Sequence, residues 1–164
     1  MKIIFLDIDG VLNSDEYIDR AKAQNLEGIR KHIDDEKVKL LKNAINETGA
    51  KTVLTSSWRN SKDIIPLRKL LASYGISFDV TPFINWDRGL EIKKWLAEHE
   101  QVEDYVILDD EIYDSFDTAM LEHLIKISNA NGRGLGEGLL QKDIDAIIKR
   151  FGRIKIKENE EYER

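Results

Sequence analysis

The residues best suited to chemistry stand near the start of the chain. The run Phe5-Leu6-Asp7-Ile8-Asp9-Gly10-Val11-Leu12-Asn13 sets two carboxylates one residue apart behind an apolar stretch. Aspartate is a poor strand residue, and two at this spacing face the same way and repel each other. A positive group between them relieves the repulsion, so the pair reads as part of a cation site. A second acidic pair, Asp109-Asp110, follows the apolar run Tyr105–Leu108. A third polar cluster, Thr55-Ser56-Ser57 with Trp58 and Arg59, closes the run from Lys51, and Arg88 stands just before a helical pattern. Hard oxygen ligands of this kind suit Mg²⁺, which takes one or two carboxylates and completes its shell with water and substrate phosphate. Hydroxyls, free backbone amides and arginines beside it suit the phosphate itself. Taken singly, an Asp-x-Asp at a strand end is most often a turn, and Thr-Ser-Ser before a helix most often a cap. Together they point to a site only if all three clusters reach the same edge of one sheet.

They reach it only if strands and helices alternate between them, and the apolar pattern predicts this. Strands are expected at Lys2–Leu6, Lys51–Thr55, Ile76–Val80, Tyr105–Leu108 and Leu124–Ile127. A helix capped by Asp34 or Asp35 carries Val38, Leu41, Ala44 and Ile45 on one face and ends at Gly49. A second starts at Ser61 or Asp63 and runs through Leu67, Leu70 and Leu71, with Pro66 tolerable only in its first turn. Gly89–Glu100 and Gln141–Phe151 complete the helices. The fold class is therefore α/β: a Rossmann-like three-layer αβα sandwich with a mainly parallel five-stranded sheet. In such sheets ligands bind beyond the carboxyl ends of the strands, where all three clusters fall. The segment Asn13–Ile33 shows no clear element and reads as a short lid, the only candidate cap; residues 1–151 form one domain and 152–164 a charged, loosely docked tail.

Bulk composition agrees. The 164 residues are 41% hydrophobic and 34% charged, which describes one globular domain with a well-charged surface. With no cysteine, disulfides, zinc fingers and thiol catalysis are excluded. Asp7 and Asp9 interrupt the first apolar run, so it is not read as a secretory leader, and no stretch approaches ~18 apolar residues. A cytoplasmic protein with no membrane partner is expected. The net charge of −6 argues against extended binding along a nucleic-acid backbone, though not against a small basic pocket that grips one phosphate.

Asp7-Ile8-Asp9-Gly10-Val11-Leu12 resembles the first motif of the haloacid dehalogenase (HAD) superfamily of phosphohydrolases. "LDIDGVLN", "VLTSSWR", "RGLEIKKWL" and "VILDDE" together resemble the HAD domains of bacterial and phage RNA-repair proteins, over roughly Lys2 to Phe151. The resemblance implies that Asp7 is the nucleophile and Asp9 the acid/base. Thr55, with Ser56, would hold the transferring phosphoryl group. Asp109 and Asp110 would complete a Mg²⁺ site with Asp7 and Asp9, the latter through its loop carbonyl, while Gly10 keeps the turn free of a side chain. The superfamily's third motif is usually a lysine; Arg88 stands there instead, with Lys93 and Lys94 as alternatives further into the helix. An arginine supplies the same charge and bidentate phosphate contacts.

No domain-sized cap is present, and open sites of this type tend to take large substrates. Arg20, Lys22, Arg30 and Lys31 give the lid a basic character. Arg59 is expected to meet substrate, and Trp58 either stacks on a base or packs into the core. His32, His99 and His123 pair with nothing and are not expected to be catalytic. Gly132, Gly134, Gly136 and Gly138 fit no phosphate-binding spacing and read as a flexible connection. The leading expectation is a Mg²⁺-dependent phosphatase acting through an aspartyl-phosphate on nucleic-acid ends. A mononucleotide 5′-phosphatase or other small-molecule phosphatase is the alternative. A phospho-accepting receiver, which needs a lone Asp after its third strand, and a non-catalytic module, which would lose Asp7 or Asp9, fit less well. Oligomeric state is not legible.

Overall fold

A computed structural model describes residues 1–130 and 132–154. Five strands form one sheet: β1 (Lys2–Leu6), β2 (Lys51–Leu54), β3 (Phe78–Val80), β4 (Asp104–Asp109) and β5 (Leu124–Lys126). Their order is β3-β2-β1-β4-β5, and every pairing is parallel. The helices are α1 (Asp15–Ala23), α2 (Asp35–Thr48), α3 (Ile64–Ser73), α4 (Arg88–Ala97), α5 (Thr118–His123) and α6 (Gln141–Phe151).

Side chains of a strand alternate between its faces, so β1 serves two cores. Ile4 and Leu6 join Val38, Leu41, Leu67, Leu71, Ile144 and Ile147 beneath α2, α3 and α6. Ile3 and Phe5 join Val53, Ile92, Trp95, Ile107 and Met120 beneath α4 and α5. The expected αβα sandwich is the fold observed. Asp34 caps α2 by accepting from the Glu36 amide, and Gly49 ends it at φ +70°. Pro66 sits in the first turn of α3, where its missing N–H is harmless.

Two short helices were not legible. The Asn13–Ile33 segment contains α1, started by Ser14 accepting from the Tyr17 amide, and a 3-10 turn over Gly28–Lys31. Only Tyr17 and Ala21 of α1 are buried, too thin a stripe to show as periodicity. Helix α5 is equally spare, with Met120 its buried residue and Asp117 its cap. The glycine-rich connection before α6 is tied down at several points: Leu135 N–H donates to Asp15 Oδ1 (2.9 Å), Asp15 N–H to Gly136 O (3.2 Å) and Leu139 N–H to Val11 O (2.9 Å). It braces the start of α1 rather than hanging free.

After α6 the chain turns back onto α2. Ile154 N–H donates to Glu47 O (2.7 Å), and Arg153 Nε meets Glu47 Oε2 (2.7 Å). The rest of the predicted tail, 155–164, lies outside the described residues. No described helix is long and apolar enough to cross a membrane.

Candidate active site

The chain leaves β1 for β2 on one side and reaches β4 on the other, so the sheet's switch point lies between β1 and β4. At such a point the loops diverge and leave a crevice beyond the carboxyl ends. Asp7 continues β1 into it, its N–H donating to Leu108 O (3.0 Å). Asp109 ends β4 beside it, and Thr55 follows β2 with its N–H on Leu6 O (2.9 Å).

Asp7, Asp109 and Asp110 each offer a carboxylate oxygen within 4.8 Å of the others. Into them reaches Arg88, from the first position of α4. Its Nη1 stands 2.6 Å from Asp109 Oδ2, 3.3 Å from Asp7 Oδ1 and 3.4 Å from Thr55 Oγ1, and its guanidinium lies over the Tyr113 ring at 4.8 Å. Lys93 and Lys94 point away, pairing with Asp117 and Glu98. Of the three candidates for the third motif, Arg88 alone among the described residues joins the carboxylates.

The electrostatics are those of a site short of positive charge. Burial, followed by repulsion from Asp7, pushes Asp109 up to about 8. The same two causes push Asp110 up to about 6. Burial also raises Asp7, against the pull of Arg88. Burial disfavours the Arg88 charge in turn, but Asp7 and Asp109 more than restore it. Three carboxylates against one guanidinium leave two formal negative charges, the charge of one divalent cation. The all-oxygen donor set suits Mg²⁺ better than a softer metal.

Asp9 is different. Its carboxylate is exposed and lies outside the cluster, gripped by Trp58 Nε1–H on Oδ2 (3.1 Å) and Asn13 Nδ2–H on Oδ1 (3.0 Å). Asn13 also accepts from Gly10 N–H (2.8 Å) and donates to His32 O (2.9 Å), which pins the turn after β1. Gly10 holds φ +81°, and a Cβ there would collide with the Asp110 carboxylate. Trp58 packs against the core, as one of its two expected roles had it, but only partly buried: it also meets His32 edge-to-face and holds Asp9 by its ring N–H.

Arg59 departs from expectation. Its side chain is 4% exposed and turns inward, Nη2 pairing with Glu91 Oε2 at 2.7 Å. Nη1 donates to the carbonyls of Thr55 and Ser56 (2.9 Å to the latter). Burial lowers its pKa, partly offset by Glu91. Arg59 therefore braces the turn that presents Thr55 and Ser56 and leaves no face for substrate. Ser56 itself is buried and caps the following turn by accepting from the Trp58 amide.

Glu91 and Asn13 had no role in the sequence reading. Glu91 precedes Ile92 and lies four residues before Trp95, on the buried face of α4, and a charge at an inward position is the signal that marks it. The lid is less basic than its composition suggests, because Arg20 pairs with Glu16 and Arg30 with Asp35. The histidines stay outside the cluster; His99 stacks on Trp95 and His123 on Tyr105. Clefts of ≈ 520 and ≈ 490 Å³ occur elsewhere, and neither is lined by the carboxylates.

An all-parallel α/β sheet with acidic strand ends meeting at its switch point fits the HAD superfamily, a group that includes phosphohydrolases. Residues 3–135 match the family described as the HAD domain in Swiss Army Knife RNA repair proteins, and the chain belongs to that family. Comparison with curated proteins and with solved structures gives no match.

Proposed function

We propose that the protein is a cytoplasmic, Mg²⁺-dependent phosphomonoesterase that removes phosphate from nucleic-acid ends. The observation that carries this is the meeting of Asp7, Thr55, Arg88, Asp109 and Asp110 around one point at the switch of the sheet. Asp7 and Asp109, with the Asp9 carbonyl and Asp110 beside them, would hold the metal. Its part is to neutralise charge between the nucleophile and the phosphate.

An Asp7 carboxylate oxygen attacks phosphorus, the bond to the leaving oxygen breaks, and an aspartyl-phosphate forms. Asp9 gives its proton to the leaving oxygen, then takes one from the water that attacks the aspartyl-phosphate and frees Asp7. Trp58 and Asn13 fix where Asp9 waits. The Thr55 hydroxyl and the Ser56 amide bind phosphoryl oxygens, and Arg88 supplies the fixed positive charge of the third motif.

The open edge and the RNA-repair family support a polymeric substrate. The net charge of −6 supports the second reading, a mononucleotide 5′-phosphatase. Phosphate release in Mg²⁺ from 3′- and 5′-phosphorylated oligonucleotides, compared with mononucleotides, decides between them. Release that prefers oligonucleotides and vanishes in Asp7→Asn supports the proposal. Preference for mononucleotides selects the second reading, and no release from any substrate defeats both.

A further inference from the structure

The loop between β3 and α4 displays two aromatic rings that no core claims. Phe83 is 47% exposed and Trp86 69% exposed, and the rings meet edge-to-face with centroids 4.8 Å apart. Asn85 and Trp86 hold φ of +48° and +62°, consecutive left-handed residues without a glycine. A bulky residue there is uncommon, and strain of this kind concentrates at functional sites.

The loop is nonetheless clamped. Thr81 N–H donates to Leu54 O (3.0 Å) and Asp87 N–H to Ile84 O (2.8 Å). Ile84 N–H donates to Glu91 Oε1 (3.0 Å), and the other oxygen of that carboxylate holds Arg59, which in turn grips the carbonyls of Thr55 and Ser56. One buried carboxylate therefore ties the aromatic loop to the turn proposed to bind phosphate. Trp86 stands two residues before Arg88, whose guanidinium is 3.3 Å from Asp7.

We propose that Phe83 and Trp86 form a stacking platform for the nucleobase that adjoins the scissile phosphate, so that the site reads a phosphate and a base together. This rests on the phosphatase reading above and gives its substrate class: a nucleic-acid end with an unpaired terminal base. Stacking on a ring is sequence-tolerant, because every base presents a π-face. A platform held in place before binding loses little freedom when the base arrives.

The test compares the kcat/KM ratio for a phosphorylated single-stranded oligonucleotide over glycerol phosphate, which has no base. In Trp86→Ala and Phe83→Ala the ratio is expected to fall about 10-fold through the oligonucleotide KM, with Trp86→Phe recovering most of it. A ratio unchanged in both alanine variants overturns the platform, and would leave the exposed rings to a protein partner. A binding readout separates this from failure of the phosphatase reading. The same oligonucleotide, titrated into Asp7→Asn protein, is expected to quench tryptophan fluorescence, and Trp86→Phe to remove that quenching. Quenching dependent on Trp86 sustains the platform even if no phosphate is released; quenching that is absent, or that survives Trp86→Phe, defeats it.

Discussion

Glu91→Gln isolates the buried ion pair behind the site. The glutamine keeps an oxygen for the Ile84 amide but removes the charge 2.7 Å from Arg59, whose side chain is 4% exposed. Removing one partner of a buried pair leaves the other charge uncompensated, at about 3–5 kcal/mol. Arg59 keeps its carbonyl acceptors on Thr55 and Ser56, so the loss belongs at the low end, about 3 kcal/mol. With a urea m-value of about 2 kcal/mol/M, the unfolding midpoint drops by about 1.5 M. Arg59→Met with Glu91→Leu removes both charges, and the double mutant is expected to lose less than the sum of the single losses by about 2 kcal/mol. Urea unfolding of five proteins (wild type, Glu91→Gln, Glu91→Leu, Arg59→Met and the double mutant), followed by circular dichroism, reads both quantities. A Glu91→Gln midpoint within about 0.3 M of wild type, or additive losses in the cycle, would refute the account of this pair.

Trp58→Phe keeps the ring and loses the N–H on Asp9; phosphate release is expected to slow about 10-fold, as measured by initial rates. Gly10→Ala places a Cβ against Asp110 at φ +81°, so thermal melts are expected to show about 1–3 kcal/mol of lost stability together with a loss of the shift produced by added Mg²⁺. Away from the site, burial tends to raise Asp104, but its ion pair with Arg150 (3.0 Å) leaves it below its ordinary value of 3.8. A lowered folded pKa contributes stability above the unfolded value and loses it as pH falls through the folded one. Arg150→Gln is therefore expected to be about 1 kcal/mol less stable at pH 6, a gap that closes below pH 4 in urea melts.

The parts of the fold that read clearly are those where one physical term dominates. β1, β2 and β4 are buried over most of their length, so their ends show as the apolar runs Ile3–Leu6, Val53-Leu54 and Val106–Leu108, and the polar residue after each run marks the carboxyl edge of the sheet. Asp7, Thr55 and Asp109 stand where that rule places them. Arg88 follows from the same logic, as the first residue of the helix that starts from that edge. What stayed hidden depends on pairings distant in sequence. The inward turn of Arg59 is set by Glu91, 32 residues later, and the stance of Asp9 by Trp58, 49 residues later. Helix α1 escaped because it rests on Tyr17, Ala21 and a glycine-rich loop more than a hundred residues away.

The central claim is that Asp7 carries the phosphoryl group during turnover. Acid-quenched protein, taken during turnover of a phosphorylated oligonucleotide with Mg²⁺, can be digested and its peptides weighed. One added phosphoryl group is expected on the peptide containing Asp7, removable by hydroxylamine and absent in Asp7→Asn. Continued phosphate release by Asp7→Asn, with no modified Asp7 in the wild type, would contradict it.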